Sequence, residues 1–119
     1  LNLPSYDDFE NPQPLTGNVI THNGQEISGT LVYDLDEALT CEILDGKNDN
    51  ISYRIPFKYI QSIEPKNYKY SFITLKNGSK LSLGDSHDVN SENNGIIVFT
   101  EENIPTYIPW IEIKAVNFK

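Results

Sequence analysis

The chain carries the same turn and corner signals twice, at a nearly constant interval. An Asn-Gly pair ends at Gly24 and again at Gly78, a shift of 54, and an Ile-Pro pair followed by an aromatic residue has its proline at Pro56 and again at Pro109, a shift of 53. Asn-Gly favours a tight hairpin turn, and proline presets the backbone for a one-turn 3₁₀ segment. Because matching turns and corners impose the same strand order, the sequence predicts an internal duplication.

Short β-rich runs fill the intervals between these turns. No window keeps helical periodicity over the roughly 10–12 residues that a helix needs. The prolines of residues 1–16 argue against a helix or a central strand there. We therefore predict an all-β fold with an extended arm over residues 1–16, a first repeat over residues 17–65 and a second over residues 66–119. The apolar side chains of the arm are expected to dock on the folded part or on a neighbouring molecule, and they are Leu3, Tyr6 and Phe9.

Each repeat combines a hairpin, a variable loop, the Ile-Pro corner and a short closing strand. This order resembles the small β-barrels of the SH3-like and Sm-like kind. The stretches Gly17–Glu37 and Ile55–Pro65 also resemble exported bacterial proteins of unknown function. The resemblance implies two tandem small barrels packed as one domain, and a single β-sandwich is the alternative. It implies no particular activity.

The alternating apolar positions of these runs predict the core. Eleven side chains are expected to be mostly buried: Ile27, Leu31, Ile43, Ile55, Ile60, Ile63, Leu81, Ile97, Ile108, Ile113 and Val116.

The charge of the chain is unevenly distributed. Its net charge is −8, and residues 1–65 carry all of it, with 11 acidic against 3 basic side chains. Nucleic-acid binding depends on Lys and Arg, so we predict no nucleic-acid partner. No apolar run reaches the roughly 18 residues of a membrane span, so we predict no membrane insertion. The start at Leu1, together with the resemblance, predicts an exported protein in the periplasm or outside the cell.

The residues that could carry catalysis do not form a recognisable pattern. His22, Cys41 and His87 lack metal-ligand spacing, and both histidines are expected on the surface. Ser86, His87 and Asp88 are consecutive, which cannot give the geometry of a catalytic triad. No phosphate-binding glycine loop is present. We predict that the chain is not an enzyme and holds no cofactor.

Acidic loops occupy matching places in the two repeats. Their carboxylates form a candidate cation site for Ca²⁺, which takes oxygen ligands; the residues are Asp34, Asp36, Glu37, Asp85 and Asp88. The set is small for Ca²⁺, so we favour the alternative that these carboxylates accept backbone N–H groups and hold the turns.

Aromatic residues cluster at the two Ile-Pro corners. Phe57, Tyr59, Tyr107 and Trp110 are candidates for a groove that binds an extended peptide. We favour the alternative that Phe57 and Trp110 are buried, since a single Trp is usually mostly buried. The sequence therefore predicts a non-enzymatic binding or assembly module with a protein or peptide partner and an unspecified oligomeric state. A Ca²⁺-stabilised structural domain and an accessory domain of a larger enzyme are the alternatives.

Overall fold

The computed structural model describes residues 12–119, and within them the chain is all-β, as predicted. Short 3₁₀ turns lie at Phe57–Tyr59 and Trp110–Glu112, one after each Ile-Pro corner. The ten strands are β1 (Thr16–Thr21), β2 (Glu26–Tyr33), β3 (Ile43–Asn48), β4 (Ile51–Pro56), β5 (Ile60–Pro65), β6 (Tyr70–Leu75), β7 (Lys80–Gly84), β8 (Ile96–Phe99), β9 (Pro105–Ile108) and β10 (Ile113–Phe118). No helix in this part of the chain has the length and hydropathy to cross a membrane.

All ten strands join one antiparallel sheet that does not close on itself. Its order is β4-β3-β7-β6-β5-β10-β1-β2-β8-β9. The prediction of one small barrel per repeat is therefore not confirmed. Each five-stranded half of the sheet takes two strands from one repeat and three from the other, with β1 and β2 beside β8, β9 and β10, and with β6 and β7 beside β3, β4 and β5.

The strand order is symmetric. Read from either end of the sheet, it is the same once each strand of one repeat is replaced by its counterpart in the other repeat. An approximate twofold axis between β5 and β10 produces this arrangement. Val19 of β1 lies opposite Val116, and the matching Ile73 of β6 lies opposite Ile63. Each of these two pairings contains a register shift near the Asn-Gly hairpin, so the bulges also correspond.

The core is a single cluster that both halves share. Seven of the eleven predicted core residues are buried, and Ile27, Ile43, Leu81 and Ile97 are half-buried. Its largest fully buried side chain is that of Tyr33. The Tyr33 ring lies 5.2 Å from Phe57 and 6.0 Å from Trp110, measured between ring centroids. The two corner aromatics thus meet around one tyrosine, which ties the repeats together.

Two glycines allow close strand crossings in the half that contains β1 and β2. A Cβ at Gly29 would overlap the carbonyl oxygen of Phe99, and one at Gly17 would overlap that of Asn117. Gly17 and Gly29 also lie opposite each other in the β1–β2 pair. The matching position of the second repeat holds Leu83, so the two halves differ at this crossing.

The end of the predicted arm belongs to the folded part. Strand β1 begins at Thr16, and Leu15 is buried, with its N–H donated to the Ala38 carbonyl at 2.8 Å. Pro14 forms an isolated bridge with Leu39. Leu3, Tyr6 and Phe9 lie outside the described residues.

Candidate functional site

The loops that follow β2 and β7 meet at one place on the protein. Asp34 comes directly after β2, and Asp88 holds the matching place in the second repeat at a shift of 54. Asp34 and Leu35 both adopt positive φ, 54° and 55°. The turn is closed by the Tyr33 carbonyl, which accepts N–H groups from Asp36 and Glu37 at 3.0 and 2.9 Å. This tight turn directs the Asp34 carboxylate towards the second repeat.

His87 contacts both aspartates at this meeting point. Its Nδ1 lies 2.6 Å from Asp34 Oδ2 and 3.6 Å from Asp88 Oδ1. The aspartate side chains are 1% and 3% exposed, whereas that of His87 is 60% exposed. Two buried carboxylates therefore lie against one exposed imidazole. We call Asp34, His87 and Asp88 the axial cluster, because its aspartates occupy equivalent positions of the two repeats.

Backbone donors hold the outer oxygen of each carboxylate. Asn94 donates its N–H to Asp34 Oδ1 at 2.6 Å, and Asp45 donates its N–H to Asp88 Oδ2 at 2.9 Å. The other oxygen of each group, Asp34 Oδ2 and Asp88 Oδ1, faces the His87 ring. The carboxylates are thus fixed in orientation before any ligand arrives.

The loop after β7 is braced by buried hydrogen bonds. The Asp88 carbonyl accepts the Tyr33 hydroxyl and the Asn93 amide, and Asn93 in turn accepts the Gly95 N–H at 2.8 Å. Ser86 accepts the Asp88 N–H at 3.2 Å. Because both buried side chains bond to the same carbonyl, the backbone at Asp88 is held from two sides.

Burial and crowding of negative charge shift the ionisation of this region. Burial raises the pKa of Glu37 to about 8, with Asp88, Asp36 and Asp34 adding to the shift. Burial also raises the pKa of Asp88 to about 6, although its bond from Asp45 opposes the change. The hydrogen bond to Asp34 raises the pKa of His87. The pKa of Tyr33 is raised well above its usual value by burial and then by Asp88, Asp34 and Glu37.

The structure brings together part of the predicted cation site. Asp34 and Asp88 lie in the axial cluster, and Glu37 is buried close enough to interact electrostatically with both. Asp36 and Asp85 are exposed and stand outside the cluster. The carboxylates of Asp34 and Asp88 accept backbone N–H groups, as expected. The donors are Asn94 and Asp45, however, which lie outside the turns that contain the two aspartates.

Sequence reasoning missed His87 as a partner of these carboxylates. The histidine is exposed, as expected, yet it also touches a buried aspartate 53 residues away in the chain. One observation in the sequence pointed to it: His87 precedes Asp88 just as Tyr33 precedes Asp34. The sequence did not reveal that these two strand ends meet.

The predicted aromatic groove is not formed by its four residues. Phe57 is 1% exposed and Trp110 is 7% exposed, so both belong to the core and cannot line a surface groove. Tyr59 and Tyr107 are exposed, but they line two different grooves. The structure has the favoured alternative, in which Phe57 and Trp110 are buried, because the corner aromatics of both repeats surround Tyr33.

The two grooves occupy equivalent places in the two halves of the sheet. The first has a volume of about 420 Å³ and lies between the Asn23 turn, Tyr107 and Ile111. The second has about 260 Å³ and lies between the Asn77 turn and Tyr59. Each runs beside an edge strand, β9 for the first and β4 for the second.

No protein-family model, curated protein or solved structure matches this chain. Function therefore has to be argued from the geometry of its own residues.

Proposed function

We propose that this chain is a non-enzymatic binding module that takes an extended peptide along the edge of β9. The observation that supports this is an open strand edge beside a groove with both apolar and polar lining. β9 pairs with β8 on one side and with no other strand of residues 12–119. Large apolar side chains stand exposed around it, with Ile104 at 51%, Tyr107 at 54% and Ile111 at 85%.

An open edge offers unpaired backbone N–H and C=O groups, and proteins normally protect such edges with charge, proline or a covering segment. β9 has proline at its first residue, Pro105, and no charged residue along its four positions. An extended peptide added to this edge would gain backbone hydrogen bonds, as in other strand-addition complexes. The groove beside the edge would then select one of its side chains.

The lining of the groove indicates the chemistry of the peptide. Ile27, Tyr107 and Ile111 supply apolar surface. His22 and Glu112 supply polar groups. A large apolar side chain suits the groove. The net charge of −8 favours peptides with basic residues on either side of that position.

We also propose that each five-stranded half is an SH3-like unit whose strands are exchanged between the repeats. In both halves a 3₁₀ turn immediately precedes the closing strand, β5 or β10, which is one of the features that carry the resemblance. The groove beside β4 then corresponds to the groove beside β9. Since Arg54 and Tyr59 replace Tyr107 and Glu112 there, the two grooves would prefer different peptides.

The test is selection from a library of displayed peptides of about ten residues, enough to span a strand and its flanks. Selected peptides should contain a large apolar residue flanked by Lys or Arg. The Ile111→Glu variant should lose at least about tenfold in affinity, because a charge would replace an apolar contact. Ile51→Glu is the matched control, since Ile51 is 59% exposed on the opposite edge strand, β4.

Backbone amide chemical shifts provide the second readout. Binding should perturb the amides of β9 and of the Asn23 turn in the unmodified protein. The proposal is wrong if no peptide is enriched, or if the selected peptides bind Ile111→Glu as tightly as the parent.

A further inference from the structure

We infer that the axial cluster is a binding site for a divalent transition-metal ion, with Zn²⁺ as the best-suited ion. The ligand atoms would be Asp34 Oδ2, His87 Nδ1 and Asp88 Oδ1, which all lie within 4.8 Å of one another. This inference does not depend on the proposed peptide binding, because the β9 groove is lined by other residues.

The two spacings from His87 Nδ1 to the carboxylate oxygens lie near those of a metal shell. Zn²⁺ binds imidazole nitrogen and carboxylate oxygen at about 2.0–2.2 Å, which places ligand atoms about 3.3 Å apart around a tetrahedral ion. His87 Nδ1 and Asp88 Oδ1 are 3.6 Å apart. The 2.6 Å between His87 Nδ1 and Asp34 Oδ2 is the length of a hydrogen bond and would have to open by less than an ångström. The exposed imidazole can make that movement.

A second observation points to a cation at this place. The Asp88 side chain is 3% exposed, and its Oδ1 receives no hydrogen bond from any side chain or backbone group of residues 12–119. A buried carboxylate oxygen without a donor is costly, so such an atom normally has a partner or binds a metal. This oxygen is one of the two that face His87. A metal ion would satisfy it and would bind Asp34 at the same time.

The donor set favours Zn²⁺ over Ca²⁺. Backbone N–H groups occupy Asp34 Oδ1 and Asp88 Oδ2, so each carboxylate has one oxygen left for an ion. Two single oxygens and one imidazole nitrogen fall far short of the 6–8 oxygens that Ca²⁺ takes. Three protein ligands with mixed nitrogen and oxygen donors suit Zn²⁺, which keeps its fourth position for water or an external group.

The groups behind the ligands are also arranged as a metal site requires. The N–H groups of Asn94 and Asp45 fix the two carboxylates, which is the orienting role that surrounding hydrogen bonds play at metal centres. Asp88 is further held through its carbonyl by Tyr33 and Asn93. The two carboxylate ligands, one on each repeat, are therefore held by hydrogen bonds that do not involve the ion.

The experiment titrates chelator-treated protein with Zn²⁺ alone and follows binding by calorimetry. We expect one ion per chain, and His87→Ala should weaken binding by at least about tenfold. His22→Ala is the matched control, because it removes the other histidine of the chain from an exposed turn and should leave the affinity unchanged. Millimolar Ca²⁺ present in the calorimeter during the titration should not displace Zn²⁺. Co²⁺ absorption in the visible range gives a spectroscopic readout that should require His87.

Melting curves recorded without metal show whether each variant is folded. The Tm of His87→Ala should stay within a few degrees of the parent value, because the truncated side chain is exposed. Added Zn²⁺ should raise the Tm of the parent and of His22→Ala but not that of His87→Ala. Failure to bind Zn²⁺, equal binding by His87→Ala, or displacement by Ca²⁺ would each overturn the inference.

Discussion

Ile63 and Val116 face each other across the β5–β10 pair at the centre of the sheet, and each occupies in its own repeat the position that the other holds. Both are fully buried. The pair therefore lies on the approximate twofold axis that relates the repeats, and the same axis passes between Asp34 and Asp88. The core and the axial cluster are consequences of one symmetric arrangement.

Equivalent core positions should contribute similarly to stability. Ile60→Ala and Ile113→Ala should each lower the free energy of unfolding by about 2–5 kcal/mol, because each removes most of a fully buried side chain and leaves a cavity. Urea denaturation measures the change. Ile111→Ala is the control, since that side chain is 85% exposed and its loss should cost less than about 0.5 kcal/mol. A large difference between the Ile60 and Ile113 variants would contradict their equivalence.

Neither repeat should fold as a single isolated chain. A fragment of residues 12–65 lacks β8, β9 and β10, which complete the half that contains β1 and β2, and a fragment of residues 66–119 has the reciprocal deficit. We expect each to be unfolded by circular dichroism when dilute, and an equimolar mixture to recover the β-sheet spectrum. A dispersed amide spectrum from one dilute monomeric fragment would show that a repeat can form its own unit.

Gly29 should tolerate no side chain. Gly29→Ala should cost about 1–3 kcal/mol, because the new Cβ overlaps the Phe99 carbonyl and forces β2 and β8 apart. Ser28→Ala, on the exposed neighbour in the same strand, should change stability by less than about 0.5 kcal/mol. Equal melting temperatures for the two variants would mean that the crossing is looser than described.

The buried Glu37 should make stability fall as the pH rises. Its pKa is about 8 in the folded chain and near 4.5 when unperturbed, so between these values the folded chain keeps a proton that the unfolded chain has released. The contribution of Glu37 to the free energy of unfolding therefore decreases from about pH 4.5 to about pH 8 and then levels off. Asp88 adds to this decline up to about pH 6, since its pKa is also raised.

The Glu37→Gln variant isolates the contribution of this residue. It should show a smaller loss of stability between pH 5 and pH 8 than the parent, measured by urea denaturation with a chelator present. Glu102→Gln is the control, because Glu102 is exposed and does not contribute to the pKa shift of Glu37. A Glu37→Gln profile that runs parallel to the parent's would show that Glu37 ionises in the folded chain as it does in the unfolded one.

The sequence predicts the turns and corners correctly, but it does not predict which strands pair with each other. The Asn-Gly turns at Gly24 and Gly78 and the corners at Pro56 and Pro109 lie where they were predicted, because each depends on a few adjacent residues. The pairing of β2 with β8 in place of β3 could not be read from the pattern. Both repeats carry the same signals, so pairing within a repeat and pairing between repeats look alike.

The same reason explains what was found and missed at the axial cluster. Asp34 and Asp88 were recognised because acidic residues end the matching strands. Their contact, and the participation of His87, depend on the exchange of strands between the repeats. Glu37 was grouped with them as a candidate ligand, and the structure shows that it is buried and that its pKa is strongly raised.

Strand exchange also dictates the order in which this protein can be completed during synthesis. Strand β1 pairs with β10, and Gly17 lies opposite Phe118. Gly17 therefore lacks this partner until Phe118 has been synthesised. Ribosomes add about 5–20 residues per second, so the hairpin of β1 and β2 stays without its other partners for seconds after it emerges. Contacts this distant in sequence also slow folding. The apolar strands of the newly made first half remain open to pairing with other chains until β10 has emerged. The surplus of acidic side chains in residues 1–65 makes such unfinished chains repel one another.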